Sequence, residues 1–151
     1  MVSLKRKQAG FTIVELLIVI IVIGILATLV ITTFTGIQQK ARNTKRQTDI
    51  NAIQGQVEAY FASNGKYPTL ANINDGTWRT ANMKGLDPNA LQDPKGSAQT
   101  LVAAPVADSY AYNVTASDGT TACDNTATDC AKYVLTATNE GGGTYVKNSL
   151  N

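Results

Sequence analysis

The hydrophobic and polar positions divide the chain into an apolar N-terminal run and a longer polar remainder. Residues 11–34 read FTIVELLIVIIVIGILATLVITTF and contain a single charged residue, Glu15. A helix rises about 1.5 Å per residue, so this run reaches roughly 36 Å and is long enough to cross a hydrocarbon layer. The pattern therefore predicts a membrane-inserting helix that carries a polar head.

No proline lies between the apolar run and residue 63, so the helix is expected to continue to about that residue. Beyond residue 50, apolar residues recur at spacings of three and four, which places them on one helical face. These residues are Ile50, Ile53, Val57, Tyr60 and Phe61. Residues 36–63 thus predict an amphipathic continuation that packs on a sheet. Asn64 and Gly65, followed by Pro68, are typical of a helix end.

Strand patterns follow in the C-terminal half. Apolar and polar residues alternate over 110–115 and 133–138, and a third short strand over 144–147 follows a run of three glycines. The loop-rich segment before them is expected to hold a short helix near 82–91. The predicted fold class is α+β: a long N-terminal helix packed on a small antiparallel sheet, with residues 64–151 forming the head.

Glu15 is the anomaly of the apolar run. A carboxylate inside a membrane helix costs about 2.5–3.5 kcal/mol on insertion scales, so a partner for it is expected. A cut between Gly10 and Phe11 would create a cationic α-amino group four residues before Glu15. A carboxylate on one copy would then pair with the amine on the next copy and hold the two in axial register.

The residues around this junction resemble the processing site of type IV prepilins and type II secretion pseudopilins. The resemblance lies in the basic Lys5-Arg6-Lys7, the Ala9-Gly10 junction and the sequence FTIVELL from Phe11 to Leu17. It implies that residues 1–10 are a leader, that a dedicated peptidase cuts between Gly10 and Phe11, and that the new amine of Phe11 is methylated. It also implies that Glu15 sets the register of subunits, and that residues 11–35 are the transmembrane and assembly helix.

The resemblance implies that the chain is a structural subunit of a type IV pilus-like filament. A type II secretion pseudopilin is the alternative within the family. The implied partners are further copies of the chain, the prepilin peptidase, the pilus assembly machinery and the membrane that holds the precursor. The precursor would cross the cytoplasmic membrane once with its head outside and become part of an extracellular filament in adhesion or motility. A monomeric membrane-tethered binding module is the alternative outside this family. A secretory signal peptide is disfavoured because its apolar region is shorter.

Composition narrows the chemistry. The chain has 13 basic and 11 acidic residues, a net charge of +2, and no histidine. Histidine-ligated metals and histidine-based triads are therefore excluded, and neither an enzyme nor a cofactor is expected. The charge balance gives no support to DNA as a partner. The basic residues Lys40, Arg42, Lys45 and Arg46 are expected to be solvated or to form salt bridges between packed subunits.

Two cysteines, Cys123 and Cys130, are the only ones in the chain and predict a structural disulfide in a head that lies outside the cytoplasm. Their spacing does not fit a C-x-x-C redox motif, and two thiolates alone do not fill a zinc site. Some pseudopilins bind calcium near the C-terminus, and carboxylates are suitable calcium ligands. The weak calcium candidates are Asp118, Asp124, Asp129 and Glu140.

Overall fold

The computed structural model describes residues 10–151, so the basic part of the leader lies outside the described residues. Its elements are one long helix, two short helices, a 3-10 turn and three strands. In chain order they are α1 (Ile13–Asn64), α2 (Leu70–Asn74), α3 (Gly76–Asn82), the 3-10 turn Pro88–Leu91, β1 (Tyr110–Thr115), β2 (Lys132–Thr138) and β3 (Thr144–Asn148). The predicted α+β class is confirmed.

The internal contacts divide the chain into two compact units, one up to Gln38 and one from Gln39 to Asn151. Helix α1 contributes to both. Among the described residues it is also the one helix that is long and apolar enough to cross a membrane. The predicted domain limits at residues 10, 35 and 63 remain predictions.

The three strands form one antiparallel sheet in the order β1-β2-β3. Tyr110 pairs with Ala137 across β1 and β2, and Val134 pairs with Asn148 across β2 and β3. The turn between β2 and β3 contains three consecutive glycines with positive φ angles of 85°, 103° and 80°. Side chains with a Cβ are strained in that region, which explains the glycine run.

The core of the second unit is built between α1 and the sheet. Ile50, Ile53 and Val57 of α1 are fully buried, and they share one apolar cluster with side chains of the sheet such as Tyr112 and Leu135. The spacing of three and four residues therefore identified the buried face of this part of the helix. The hydroxyl of Tyr112 donates to the carbonyl of Pro68 at 2.9 Å, so this buried phenol keeps a partner.

The expected short helix near residues 82–91 is wrong in its placement. Only the 3-10 turn lies there, whereas α2 and α3 precede it. The reason is helix capping: the hydroxyl of Thr69 accepts from the amide N–H of Asn72 at 3.1 Å, and Asp75 accepts from the N–H of Thr77 at 2.8 Å. Side-chain oxygens at these positions satisfy amides that a helix start leaves free.

We predict that Ile53→Ala lowers the free energy of unfolding by about 2–5 kcal/mol, because it removes buried methyl groups and leaves a cavity. The measurement is denaturant unfolding of the full chain in detergent. Val146→Ala is the matched control, since Val146 is 43% exposed and its loss should change little. Equal effects of the two substitutions would contradict the core described above.

Candidate assembly site

The apolar half of α1 is exposed along its whole length. From Phe11 to Ile37, every large apolar side chain is at least 48% exposed, and Phe11 itself is 81% exposed. Removing apolar surface from water gains about 25 cal/mol per Å². A surface of this extent therefore requires lipid or other protein, and residues 10–151 do not cover it.

Glu15 lies in the first turn of α1 and is held by Thr12, the residue just before the helix. Its Oε2 accepts from the backbone N–H of Thr12 at 2.8 Å and from the Thr12 hydroxyl at 2.7 Å. The N–H of Glu15 donates to the same hydroxyl oxygen at 3.2 Å. This reciprocal arrangement is a capping box, for which T-x-x-E is the sequence signature.

The capping box was missed in the sequence-based interpretation, although Thr12-Ile13-Val14-Glu15 carries its signature. Its geometry leaves Oε1 of Glu15 without a hydrogen bond from any described residue, whereas Oε2 takes two. The junction between Gly10 and Phe11 lies before the helix begins and is exposed. Among the described residues, the Glu15 carboxylate thus keeps one oxygen free, in the helical turn that follows the bond that the sequence predicts to be cut.

Comparison with known proteins agrees with this arrangement. Residues 5–31 match the prokaryotic N-terminal methylation motif. The chain is also 34% identical over 105 residues to type II secretion system core protein G of Escherichia coli (strain K12), which covers 69% of the chain and 70% of that relative. The chain belongs to the core protein G family.

Two further core G proteins match over shorter stretches. That of Aeromonas hydrophila is 42% identical over 65 residues, and that of Dickeya chrysanthemi is 39% identical over 66 residues. The chain covers 46% and 43% of these two relatives, respectively, and they cover 43% and 44% of the chain. No solved structure gives a significant match. The resemblance to pilins and pseudopilins is thus confirmed.

In this core protein G chain, Cys123 and Cys130 form a disulfide whose Cα atoms lie 5.2 Å apart. The loop is fastened to the residues after α1. The N–H of Tyr67 donates to the carbonyl of Cys130 at 2.8 Å, and the amide of Asn125 donates to the carbonyl of Tyr67 at 2.7 Å. The disulfide loop therefore holds the segment that follows α1 at Tyr67.

The four calcium candidates are not brought together. Asp118 accepts from the N–H groups of Thr120 and Thr121, and Asp124 accepts from three backbone N–H groups in its own loop. The side chains of Thr121 and Thr126 also donate to Asp118 and Asp124, respectively. These side-chain bonds, together with those from the backbone N–H groups, favour the charged carboxylates and hold the pKa of each below its usual range. Asp129 pairs with Lys66, and Glu140 pairs with Arg42. Within residues 10–151, no three acidic or cysteine side chains form a metal-holding group.

The basic residues after the apolar run differ from the expectation of solvation or pairing between subunits. Three of the four pair within the chain. Arg42 contacts Glu140, Lys45 contacts Asp49 and Arg46 contacts Asp93. Glu140 and Asp93 lie 98 and 47 residues from Arg42 and Arg46, so the sequence alone did not show these two pairs. Lys45 and Asp49, in contrast, are a local pair four residues apart on α1. Lys40 is exposed and forms no ion pair with the described residues.

Glu140 is the carboxylate that carries the largest share of these contacts. Its side chain is 19% exposed and accepts from Arg42 at 2.5 and 2.6 Å and from Arg46 at 3.1 Å. The hydrogen bonds from Arg42, opposed in part by desolvation, lower the pKa of Glu140 from 4.5 to about 2. Its ion pairs therefore persist well into the acidic range.

The depressed pKa predicts a pH dependence of stability. The contribution of Glu140 is fully present above its unfolded pKa of 4.5 and is lost as the pH falls towards about 2. We expect Glu140→Gln to destabilise the protein at pH 7, and the gap to the parent protein to shrink steadily between pH 5 and pH 2. Denaturant unfolding of the full chain across this range is the measurement.

Asp129→Asn is the matched control for this test, because Asp129 is 72% exposed and has one ion pair. A gap that stays constant between pH 5 and pH 2 in the Glu140 variant would show that its carboxylate charge is not what stabilises the turn.

We also predict that replacing both Cys123 and Cys130 with serine lowers the free energy of unfolding by about 2.5 kcal/mol, the chain-entropy value for so short a loop. Amide hydrogen exchange should increase first at Tyr67, whose N–H bonds to Cys130. Exchange that rises uniformly over the head, including β2, would contradict a local role of the disulfide.

Proposed function

We propose that this protein is a structural, non-catalytic subunit of the pseudopilus of a type II secretion system. The observation that carries the proposal is an exposed apolar helix whose first turn holds Glu15 beside the expected cleavage bond. Residues 1–10 would be removed and the amine of Phe11 methylated before assembly. The methylation-motif match over residues 5–31 supports this processing.

The precursor is stored in the cytoplasmic membrane through the apolar half of α1. Lipid covers the exposed side chains, and the disulfide-bonded head lies on the outer side, where oxidation of cysteines is favoured. The prepilin peptidase reaches the exposed junction of Gly10 and Phe11 because the helix begins only at Ile13. Cleavage after Gly10 then creates the cationic α-amino group of Phe11, four residues before Glu15.

Assembly exchanges lipid for other copies of the same helix. The apolar helices gain close packing with one another and stay buried. The free Oε1 of Glu15 accepts a hydrogen bond from the cationic amine of Phe11 in a neighbouring copy. The interface is formed between different surfaces of identical subunits, so it generates an open helical filament. The secretion machinery would supply the energy that extracts each subunit from the membrane.

A type IV pilus subunit is the second candidate. It shares the leader, the methylated Phe11 and the role of Glu15, and differs in its outputs, which would be adhesion or motility by an extracellular filament. The names of the similar proteins favour the secretion role, since each of those described above is a type II secretion core protein. Loss of secretion from a deletion strain, with surface filaments and motility unchanged, would support the first candidate.

The assembly mechanism is tested with Glu15→Ala and Glu15→Gln. We expect both variants to be cleaved, so that their intact mass begins at a methylated Phe11, and both to lose most filament yield in sheared fractions. Glu15→Gln is informative because its amide oxygen still accepts from Thr12 but cannot form an ion pair with an amine.

Asp129→Ala serves as the control, because it removes an exposed carboxylate that belongs to the head and not to the apolar half of α1. Normal filaments from Glu15→Gln would exclude ion pairing as the role of Glu15. An intact mass that begins at Met1 in assembled wild-type filaments would exclude the proposed processing.

A further inference from the structure

A cluster of charged and amide side chains lies where α1 enters the head, and we call it the neck network. It consists of Arg42, Asn43 and Arg46 of α1 together with Asp93 and Glu140. Arg46 is fully buried, and the Asp93 side chain is 1% exposed. Two buried charges within a small apolar core are costly to desolvate, so their presence calls for a physical role.

Arg46 is the centre of the neck network. Its Nε and Nη2 donate to the two oxygens of Asp93 at 2.6 and 2.9 Å, which is the two-pronged geometry that suits guanidinium and carboxylate. Its Nη1 donates to the side-chain oxygen of Asn43 at 2.8 Å and to Glu140 at 3.1 Å. The hydrogen bonds from Arg46 to Asp93 raise the pKa of the Arg46 guanidinium above its usual value. One side chain of α1 thus fixes two separate loops.

Asn43 and Arg42 complete the attachment of the β2–β3 turn. The amide nitrogen of Asn43 donates to the carbonyl of Glu140 at 3.1 Å, and its oxygen accepts from the N–H of Glu140 at 3.0 Å. Arg42 adds its two short bonds to the Glu140 carboxylate. These contacts have defined directions, so they are made at one position of the helix.

The apolar contacts of the same helix do not define its position equally well. Ile50, Ile53 and Val57 fill the core, but Ile53, Val57 and Phe61 continue the same face with similar spacing. A slide of α1 by one turn, about 5.4 Å, would replace one apolar set by the other. Burial of apolar surface alone therefore specifies the axial position of the helix weakly.

The neck network distinguishes these positions. A slide of one turn that brings Ile53 towards the place of Ile50 also brings Asp49 and Ile50 towards the place of Arg46, opposite Asp93. The negatively charged side chains of Asp49 and Asp93 would then face each other. A slide in the other direction would bring Arg46 towards the place of Ile50, inside the apolar cluster. Arg42 would then leave Glu140 and take the place of Arg46 opposite Asp93. Both alternatives are penalised by charge, as in proteins that fix register with one polar contact.

We infer that the neck network fixes the axial register of the head along α1. This inference rests on the proposed function, because in a filament held together through α1 the register decides where each head lies relative to its neighbours. Arg46 and Asp93 are then positioning residues for assembly. Their contribution is to the uniqueness of the packing more than to its stability.

The test measures register in the single subunit, using the full chain in detergent micelles. Spin labels are introduced as non-natural amino acids at Gln47 of α1 and Lys132 of β2, both exposed, so that the disulfide stays intact. Electron–electron distance measurements should give one narrow distribution for the parent protein. The double variant Arg46→Met with Asp93→Asn should add a second population whose distance differs by up to about 5 Å, the length of one helical turn.

Asparagine is chosen at position 93 because Asp93 Oδ1 also accepts from the N–H of Lys95 at 2.9 Å, and the amide oxygen preserves that turn. The matched control is Lys66→Met with Asp129→Asn, which removes one ion pair outside the neck network and should keep the narrow distribution. Arg46→Lys keeps the charge without the two-pronged geometry and should broaden the distribution even if the double variant fails to fold.

A narrow, parent-like distribution in either Arg46 variant overturns the inference, and so does equal broadening in the control. The measurement needs no filament, so absence of filaments from the parent protein would remove the proposed function and leave this result standing. Where filaments form, electron microscopy of the double variant should show loss of a uniform helical rise.

Discussion

The first half of α1 cannot bury its own surface. No element within residues 10–151 covers its apolar side chains, and no charge other than Glu15 interrupts them. A soluble monomer would leave this surface in water at a large cost in free energy. Membrane storage and helix–helix assembly are the two environments that satisfy it, and they can follow one another without any intermediate exposure to water.

The second half of the same helix solves the burial problem inside the chain. Ile50, Ile53 and Val57 are buried in the core of the head, the aromatic Tyr60 and Phe61 are partly buried, and most of the other positions are polar or small. The change occurs over about two turns, where the neck network replaces apolar contacts by ion pairs and hydrogen bonds. In the proposed assembly, these ion pairs and hydrogen bonds therefore lie next to the segment that packs against other subunits.

Local patterns were sufficient to predict most of the fold. The apolar run, the spacing of Ile50, Ile53 and Val57, and the alternation within the strands each report a burial pattern that depends on near neighbours in sequence. The partners of the buried charges could not be predicted in this way, because Arg46 and Asp93 are 47 residues apart and Arg42 and Glu140 are 98 apart. The sequence does not show whether the carboxylate that pairs with a basic residue lies in the same chain or in a neighbouring subunit.

The pairing of Thr12 with Glu15 is a different case, since its signal is local. It was overlooked because a lone acid in an apolar run was interpreted only through a partner on another chain. The structure adds a partner within the chain, and both partners act at the same helix end, where the free N–H groups already favour a negative charge. In the proposed assembly, Thr12 therefore reduces the cost of holding Glu15 in lipid before the amine of Phe11 exists. Because Thr12 occupies only Oε2, the later ion pair need not displace it.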